Sequence, residues 1–295
     1  MAKAEVYFTS EITPESLVKM FGKLGVEPRG KVGVKISTGE AGGNNYLKPE
    51  LIGDLVKKVN GTIIECNTAY AGQRNTVEDH MKVAEEHGFT KIAEVDIMDA
   101  DGDKEIPVKN GKHLEVDIVG THLDDYDMMI NLAHFKGHAM GGFGGALKNQ
   151  SIGVASRSGK AYIHTAGKTR DAENLWSNLP EQDAFLESMA EAAKAVVDYF
   201  AEAGKPIVYI NVMNNLSVDC DCDSSPEDPC MNDIGILASL DPVALDQACI
   251  DKIWTSDDRG RDHFIERVER QNGRHILPYA EEIGLGSCEY ELISL

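Results

Sequence analysis

The sequence predicts an α/β protein with a mostly parallel sheet flanked by helices and one antiparallel hairpin. Apolar, strand-like segments alternate with amphipathic, helix-like segments through the first half of the chain, a pattern typical of parallel strands joined by helices. An Asn-Gly pair at positions 110 and 111 is a strong signal for a two-residue hairpin turn. No internal repeat of about 20–50 residues interrupts the pattern. We therefore expect one compact domain over residues 1–295, with lobes at roughly 1–165 and 166–295.

Local signals predict each element of the first half. Thr13 and Pro14 begin a helix after a strand at residues 4–8, because threonine is a good N-cap and proline suits the first helical position. Gly88 ends a helix at residues 75–87, since glycine readily adopts the left-handed conformation that follows a helix. Further strands are predicted at residues 31–36, 62–65, 105–108, 113–119 and 127–132, with a helix from Pro49.

The second half begins with a glycine-rich segment at residues 137–145. A long amphipathic helix is predicted at residues 181–203, ending at Gly204, and an apolar strand at residues 207–213. An acidic loop with three cysteines follows at residues 219–233, and then a strand at residues 235–240. Asp241 and Pro242 are predicted to cap the next helix, and the tail to form one or two helices and a strand at residues 290–293.

Composition excludes several classes of protein. The 295 residues carry 49 acidic against 29 basic side chains, a net charge of −20 that repels nucleic-acid phosphates. The longest strongly apolar run, at residues 206–213, is far shorter than the ~20 residues of a membrane helix. The first residues lack the apolar core of a signal peptide, so we expect a cytoplasmic protein. In that reducing compartment, the six cysteines indicate metal ligation, redox chemistry or burial rather than disulfides.

Residues 134–149 form the first candidate site, because they follow a predicted buried strand and ligands bind at the carboxyl ends of such strands. Two histidines and two lysines flank five glycines there. Histidines exchange protons, lysines hold anions, and glycines let backbone N–H groups approach an anion closely. Alternatively, the glycines form only a tight turn. The candidates are His134, Lys136, His138 and Lys148 as catalytic residues, and Gly141, Gly142, Gly144, Gly145 and Asn149 as ligand-binding residues.

The acidic loop at residues 219–233 is the candidate metal centre. Cys220, Cys222 and Cys230 place three thiols within eleven residues, and thiolates favour zinc, iron in clusters or copper(I). With only three local thiols, either a fourth ligand comes from elsewhere or a coordination position stays open, as catalysis needs. Asp221 and the neighbouring acids could instead bind a hard cation through oxygen, or the loop could be solvated with incidental thiols.

Two further loops follow predicted strands at the same sheet edge. Residues 35–46 contain three polar groups that could converge on a ligand, Lys35, Glu40 and Asn45. In residues 66–76, Arg74 could hold a carboxylate or phosphate with two parallel hydrogen bonds. Lys160, Tyr162 and His164 form another polar cluster that could approach the same cleft.

Three of these segments together are characteristic of one family. Residues 134–149, the run Asp219-Cys220-Asp221-Cys222 and residues 233–246 resemble the uncharacterised iron–sulfur-centre proteins, domain of unknown function 362. The resemblance covers nearly the whole chain and implies family-type site residues at His134, Lys136, His138, Lys148, Cys220 and Cys222. Many members carry an inserted ferredoxin-like module, whereas residues 169–180 here contain no cysteine. Any cluster would therefore depend on Cys220 and Cys222, with or without Cys230.

Together these features predict a metal- or iron–sulfur-dependent enzyme of oxidoreductase type that acts on a small anionic substrate. Its cofactor would be an iron–sulfur cluster or a single iron or zinc ion. An electron-transfer partner would follow from redox chemistry, and a homodimer is the commonest assembly of soluble enzymes. The alternative is a protein without catalysis that binds an anion or small ligand and has a structural divalent cation in its acidic loop.

Overall fold

The computed structural model describes residues 3–295, in which twelve strands and nine α-helices are present. The strands are β1 (Ala4–Thr9), β2 (Val32–Lys35), β3 (Gly61–Glu65), β4 (Val95–Ile97), β5 (Asp103–Pro107), β6 (Val116–Gly120), β7 (Met128–His134), β8 (Lys136–His138), β9 (Gly142–Gly144), β10 (Ile207–Met213), β11 (Gly235–Ser239) and β12 (Tyr290–Ser294). The helices are α1 (Pro14–Lys23), α2 (Pro49–Lys58), α3 (Val77–Glu86), α4 (Ala146–Val154), α5 (Arg157–His164), α6 (Gln182–Glu202), α7 (Pro242–Trp254), α8 (Arg261–Arg270) and α9 (Ile276–Glu282).

One eight-stranded sheet organises the fold, in the order β12-β1-β11-β10-β7-β2-β3-β4. All neighbours pair in parallel except β11, which runs antiparallel to both β1 and β10. Helices α1 and α2 pack on one face, and α4, α6 and α7 pack on the other. Because both faces are covered, the central strands β2 and β7 are buried along their whole length. The predicted α/β class and mostly parallel sheet are confirmed.

Strands from both sides of residue 165 share this sheet. β10 and β11 come from the second half of the chain and lie between β7 and β1 of the first half. The division into lobes near residue 165 stays a prediction.

Most predicted helix starts are confirmed by their caps. The Thr13 hydroxyl accepts a hydrogen bond from the Ser16 backbone N–H at 3.1 Å, and Pro14 occupies the first turn. The Asp241 carboxylate accepts from the N–H groups of Val243 and Ala244 at 2.9 and 3.0 Å. These caps depend on residues two or three positions apart, which is why the sequence identifies them.

The predicted hairpin exists, but its turn is not the two-residue turn at Asn110. β5 and β6 pair antiparallel up to Pro107 and Val116, which leaves a loop of residues 108–115. The Glu191 carboxylate on α6 accepts hydrogen bonds from three backbone N–H groups of that loop, Lys112, His113 and Leu114. This buried contact holds the loop open and overrides the local turn signal.

The sequence did not predict helix α4, which directly follows the glycine-rich segment. That segment forms a short antiparallel pair, β8 and β9, and α4 then begins at Ala146. The buried Asp246 carboxylate of α7 accepts from the first two N–H groups of α4, those of Ala146 and Leu147, at 2.8 and 3.0 Å. A cap supplied from 100 residues away leaves no local signal.

Candidate functional site

A cavity of about 430 Å³ lies at the carboxyl ends of four adjacent parallel strands. Its walls come from the loops after β2, β3, β7 and β10, together with α4, α5 and the short helix at Ala172–Ser177. We call it the outer cavity, and its lining includes His138, Lys148, Cys220, Cys222, His164, Tyr70 and Trp176. The glycine–histidine–lysine segment and the cysteine loop therefore meet in one cleft, at the sheet edge where α/β proteins bind ligands.

The centre of the cavity wall is a cluster of His138, Cys220 and Cys222. The ligand atoms of these three residues all lie within 4.8 Å of one another. The ammonium of Lys148 donates to the Cys220 sulfur at 3.4 Å, and the Cys222 backbone N–H donates to the same sulfur at 3.4 Å. Two donors thus point at the Cys220 sulfur, an arrangement that favours its thiolate form.

The two thiols differ in acidity. A hydrogen bond from the Cys222 side chain lowers the pKa of Cys220 well below its ordinary value, with help from Lys148 and against the effect of burial. The same side-chain hydrogen bond and burial raise the pKa of Cys222. Burial, followed by the charge of Lys148, lowers the pKa of His138 to about 4. These shifts favour ionisation of Cys220 over Cys222 and the neutral form of His138.

Hydrogen bonds also fix the tautomer of His138. Its Nδ1 accepts from the backbone N–H groups of Gly141 at 2.8 Å and Met140 at 3.3 Å. A nitrogen that accepts N–H bonds has no proton, so the neutral ring carries its proton on Nε2. A histidine that binds a metal through one ring nitrogen usually donates a hydrogen bond from the other. If Nε2 of His138 bound a metal, the other nitrogen would be Nδ1, which accepts hydrogen bonds instead.

His134 and Lys136 form a separate charged cluster around Asp221. The two nitrogens of His134 face Asp221 at 2.9 Å and the Asn214 carbonyl at 2.6 Å. Both partners are hydrogen-bond acceptors, so each ring nitrogen of His134 faces an oxygen. Lys136 lies 3.1 Å from the other oxygen of Asp221. Burial alone would raise the pKa of Asp221, but His134 and Lys136 lower it.

Asp221 therefore serves as an anchor and lies outside the group that could hold a metal. Cys220 and Cys222 face the cavity, whereas Asp221 between them contacts the end of β7. Cys230, the third predicted thiol ligand, donates to the Leu216 carbonyl at 3.3 Å and is not part of the cluster either. The neighbouring acids are engaged separately, Asp219 with Arg267 and Asp223 with the Ser225 N–H.

The predicted ligand-binding side chains of the β2 and β3 loops mostly bind one another. Buried Arg74 lies 3.5 Å from Glu40 and 3.4 Å from Glu65, so its carboxylate partners belong to the protein. Asn149 donates to the Lys35 carbonyl at 2.9 Å, and the Lys35 ammonium donates to the Asn149 side chain at 3.2 Å. Asn45 donates to a backbone carbonyl of the acidic loop at 3.1 Å.

The four predicted ligand-binding glycines allow close packing around the site, and Gly144 and Gly145 line a second, smaller cavity. A Cβ on Gly145 would lie 2.3 Å from Asp246, and one on Gly144 would lie 3.0 Å from the Lys148 stem. The Gly141 N–H is bonded to His138, and Gly142 has a φ of +77° at the turn between β8 and β9. The glycines allow Asp246 and Lys148 to approach the backbone closely.

Tyr70, Trp176 and Asp246 are site residues that the sequence did not identify. Tyr70 lies in the loop after β3 and Trp176 in the short helix at Ala172–Ser177, and both contribute aromatic surface to the cavity. Asp246 positions α4, and burial raises its pKa to about 6. A carboxylate on the apolar side of a predicted helix is the one signal that could have marked it, because such a group needs partners.

The donor set fits a single metal ion better than an iron–sulfur cluster. Clusters are usually held by four thiolates. Among residues 3–295, the only group of ligating side chains close enough to share an ion is His138, Cys220 and Cys222. Two sulfurs facing an open cavity suit one zinc or iron ion with free coordination positions.

The fold and the cluster together define an α/β protein with a candidate metal or thiol centre at the carboxyl edge of its parallel strands. The family model for domain of unknown function 362 (DUF362) matches residues 32–251. The chain belongs to this family. No curated protein matches it.

Two solved structures are similar in part. The lactate racemase apoprotein from Thermoanaerobacterium thermosaccharolyticum has a TM-score of 0.43 and 14% identity, over 71% of this chain and 50% of that one. A protein from Thermotoga maritima has a TM-score of 0.44 and 13% identity, over 82% of this chain and 58% of that one. This chain thus spans between half and three fifths of their lengths. No helix within residues 3–295 is long and apolar enough to cross a membrane.

Proposed function

We propose that this DUF362 protein is a metal-dependent enzyme that holds one iron or zinc ion on Cys220 and Cys222 and acts on a small anionic molecule. The observation that supports this most directly is the cluster of two sulfurs and an imidazole within 4.8 Å on the wall of an open cavity. A buried or half-buried dithiol that faces a ligand-sized cavity is a typical setting for a metal with an exchangeable position.

The side chains around the ion would have distinct tasks. Lys148 would orient the anion, because its ammonium faces both the cavity and the Cys220 sulfur. His138 would donate from Nε2 to the thiolate or to the substrate, since its Nδ1 is held by Gly141. When bound, zinc would supply Lewis-acid polarisation, and iron would also supply a one-electron couple. The oxidoreductase interpretation therefore depends on iron and on an electron partner.

A second candidate function is a metal-free dithiol oxidoreductase. The tautomer of His138 favours it, because a ring that donates to a thiolate from Nε2 does not ligate a metal there. The Cys220 thiolate would attack an acceptor disulfide in the cavity, which breaks its S–S bond and releases one acceptor thiolate. Cys222 would then give up its proton and attack the Cys220 sulfur, which forms the Cys220–Cys222 disulfide and releases the second acceptor sulfur, so that the acceptor gains two electrons and leaves as two thiols or thiolates.

Metal analysis of protein purified without oxygen separates the two candidates. The metal proposal predicts one equivalent of iron or zinc per chain, with affinity reduced at least ~100-fold in Cys220→Ser and Cys222→Ser, because each removes a thiolate ligand. Cys230→Ser is the matched control, since this thiol lies outside the cluster, and it should keep the metal.

Metal-free protein that forms a Cys220–Cys222 disulfide with a small disulfide reagent would replace the first proposal with the second. Thiol counting and mass spectrometry of the peptide detect this bond. Protein with neither metal nor disulfide would contradict both.

A further inference from the structure

A second, smaller cavity of about 50 Å³ lies behind the two cysteines. We call it the inner chamber. Five basic side chains line it, Lys35, Arg74, Lys136, Lys148 and Lys160, whereas its lining contains one carboxylate, Glu65. Four of the five are nearly inaccessible to solvent, with Lys148 half-buried. In a chain of net charge −20, this concentration of buried positive charge is exceptional and calls for a negative partner.

Three protein carboxylates pair with these cations. Arg74 forms ion pairs with Glu40 and Glu65. Lys35 lies 3.9 Å from Glu65, and Lys136 forms an ion pair with Asp221. The three carboxylates thus match the charges of Arg74, Lys35 and Lys136 and leave none for the other two cations.

Lys160 and Lys148 have no carboxylate of their own. The Lys160 ammonium donates to the carbonyls of Ala155 at 2.6 Å and Cys66 at 3.4 Å, and no carboxylate of the described chain lies within ion-pair distance. Lys148 has the Cys220 sulfur. Even with Cys220 ionised, at least one positive charge in the chamber stays uncompensated, and an unpaired buried charge is costly.

Glycines keep the chamber open around the lysines. A Cβ at Gly153 would lie 2.8 Å from the end of the Lys35 side chain, and one at Gly144 would approach the stems of Lys148 and Lys136 at 3.0 and 3.9 Å. Larger residues at either position would push the ammonium groups out of the chamber. The absence of a Cβ at these positions therefore leaves room for the lysine side chains and for a small molecule between them.

We propose that the inner chamber binds the carboxylate group of a small organic acid, or carbonate, between Lys35, Lys148 and Lys160. A volume of about 50 Å³ admits a flat, three- or four-atom oxyanion rather than a nucleotide or a sugar phosphate. The lysine ammonium groups supply several N–H donors for its oxygens. The site does not require a metal on the cysteines, so its test is independent of the metal proposal, although it names a class for the anionic molecule of the proposed function.

The carboxylate has two sources that share this chemistry. It is either a free anion or one end of a longer molecule whose body occupies the outer cavity. The two spaces share the lining residues Tyr70, Lys148, Ile152, Cys220 and Cys222, so a single ligand reaches both. In the second case the rest of the molecule lies against the cysteine cluster.

Calorimetric titration of the full-length, metal-free protein tests the proposal. The ligands are formate, bicarbonate and a four-carbon monocarboxylate, with sodium chloride at equal ionic strength as the reference. We expect saturable binding of one anion per chain, weakened at least ~10-fold in Lys160→Met and in Lys35→Met. Lys194→Met is the matched control, because it removes one positive charge from helix α6 outside both cavities, and it should bind normally.

Metal analysis of Lys160→Met separates this proposal from the metal proposal. Lys160 lines the inner chamber but is not part of the cluster of His138, Cys220 and Cys222, so the variant should keep the metal content of the wild type while it loses anion binding. Binding of formate or bicarbonate would identify a free anion, and binding of the longer acid alone would identify a substrate end; either supports the site. Circular dichroism shows whether each variant is folded. Heats that match chloride, or equal losses in Lys194→Met and Lys160→Met, would overturn it.

Discussion

The outer cavity and the inner chamber are neighbours with opposite chemistry. The outer cavity presents sulfur, imidazole and aromatic surface around a volume of about 430 Å³, whereas the inner chamber of about 50 Å³ is lined by five ammonium or guanidinium groups and one carboxylate. Their common wall contains Cys220, Cys222 and Lys148. The difference indicates a division of labour, with reactive groups facing the open side and charge recognition behind them.

The wall between the two spaces depends on the directions in which the side chains of residues 220–222 point. Cys220 and Cys222 face the cavities, and Asp221 between them points to His134 and Lys136 at the end of the central strand. The chain turns at this point, with the Asp223 N–H donating to the Cys220 carbonyl at 2.9 Å, and the turn directs the middle side chain away from the two cysteines. Asp221 is thus a positioning residue, and its substitution should disturb the wall between the two spaces.

Asp221→Asn should have the largest effect on stability. It removes the counter-charge of buried Lys136 and a hydrogen-bond partner of buried His134, and breaking one partner of a buried ion pair costs about 3–5 kcal/mol. The free energy of unfolding from urea denaturation measures this loss. Metal affinity should fall in the same variant, because the cysteine loop loses its attachment to β7.

Asp228→Asn is the matched control, since Asp228 lies on the same loop and is exposed. A surface substitution of this kind should change stability by no more than about 0.5 kcal/mol. A loss below about 1 kcal/mol in Asp221→Asn would show that His134 and Lys136 do not need this carboxylate.

The buried charge of Lys35 in the inner chamber should make the free energy of unfolding depend on pH. Burial lowers the pKa of Lys35 to about 8, and Glu65 and Cys66 oppose this while Lys160 and Arg74 add to it. Between pH 8 and the ordinary pKa of 10.5, the unfolded chain binds more protons at Lys35 than the folded chain. Stability from this group therefore rises with pH over that window.

Lys35→Met removes that dependence. Its free energy of unfolding relative to the wild type should decrease by about 3 kcal/mol between pH 8 and 10.5, from 1.36 kcal/mol per pKa unit. Urea denaturation at several pH values measures the difference. Saturating formate should flatten the wild-type slope, because a bound anion raises the pKa of Lys35. A constant difference across the window would contradict a charge buried without full compensation.

The sequence predicted those features that depend on near neighbours in the chain. The caps at Thr13 and Asp241 and the left-handed Gly88, with a φ of +87°, are examples. The strands that form the sheet were identifiable because burial on both faces demands apolar runs. It also placed the histidine segment and the cysteine loop as candidate sites, since each follows a strand.

Partners distant in sequence decided the rest. Glu191 opens the turn at Asn110, and Asp246 starts helix α4, from 77 and 100 residues away respectively. His134 and His138 are equivalent in the sequence, yet one is locked between Asp221 and Asn214 and the other faces the cysteines. Only the strand pairing separates them, and no local pattern reports which acceptor a ring nitrogen will meet.

Two adjacent residues near the outer cavity, Leu175 and Trp176, differ in burial. Trp176 is 57% exposed at the cavity and tilts against Tyr70, whereas Leu175 is fully buried in a small cluster with Ala69 and Ala161. Trp176→Ala should change the free energy of unfolding by less than about 0.5 kcal/mol, as an exposed side chain does. Leu175→Ala should cost about 2–4 kcal/mol through lost burial and a cavity.

If Trp176 serves to cover a ligand, its substitution should weaken binding of the longer carboxylate and leave formate binding in the inner chamber unchanged. Calorimetry on the two variants decides this, and a stability loss in Trp176→Ala equal to that in Leu175→Ala would show that the tryptophan is part of the core and not of the cavity.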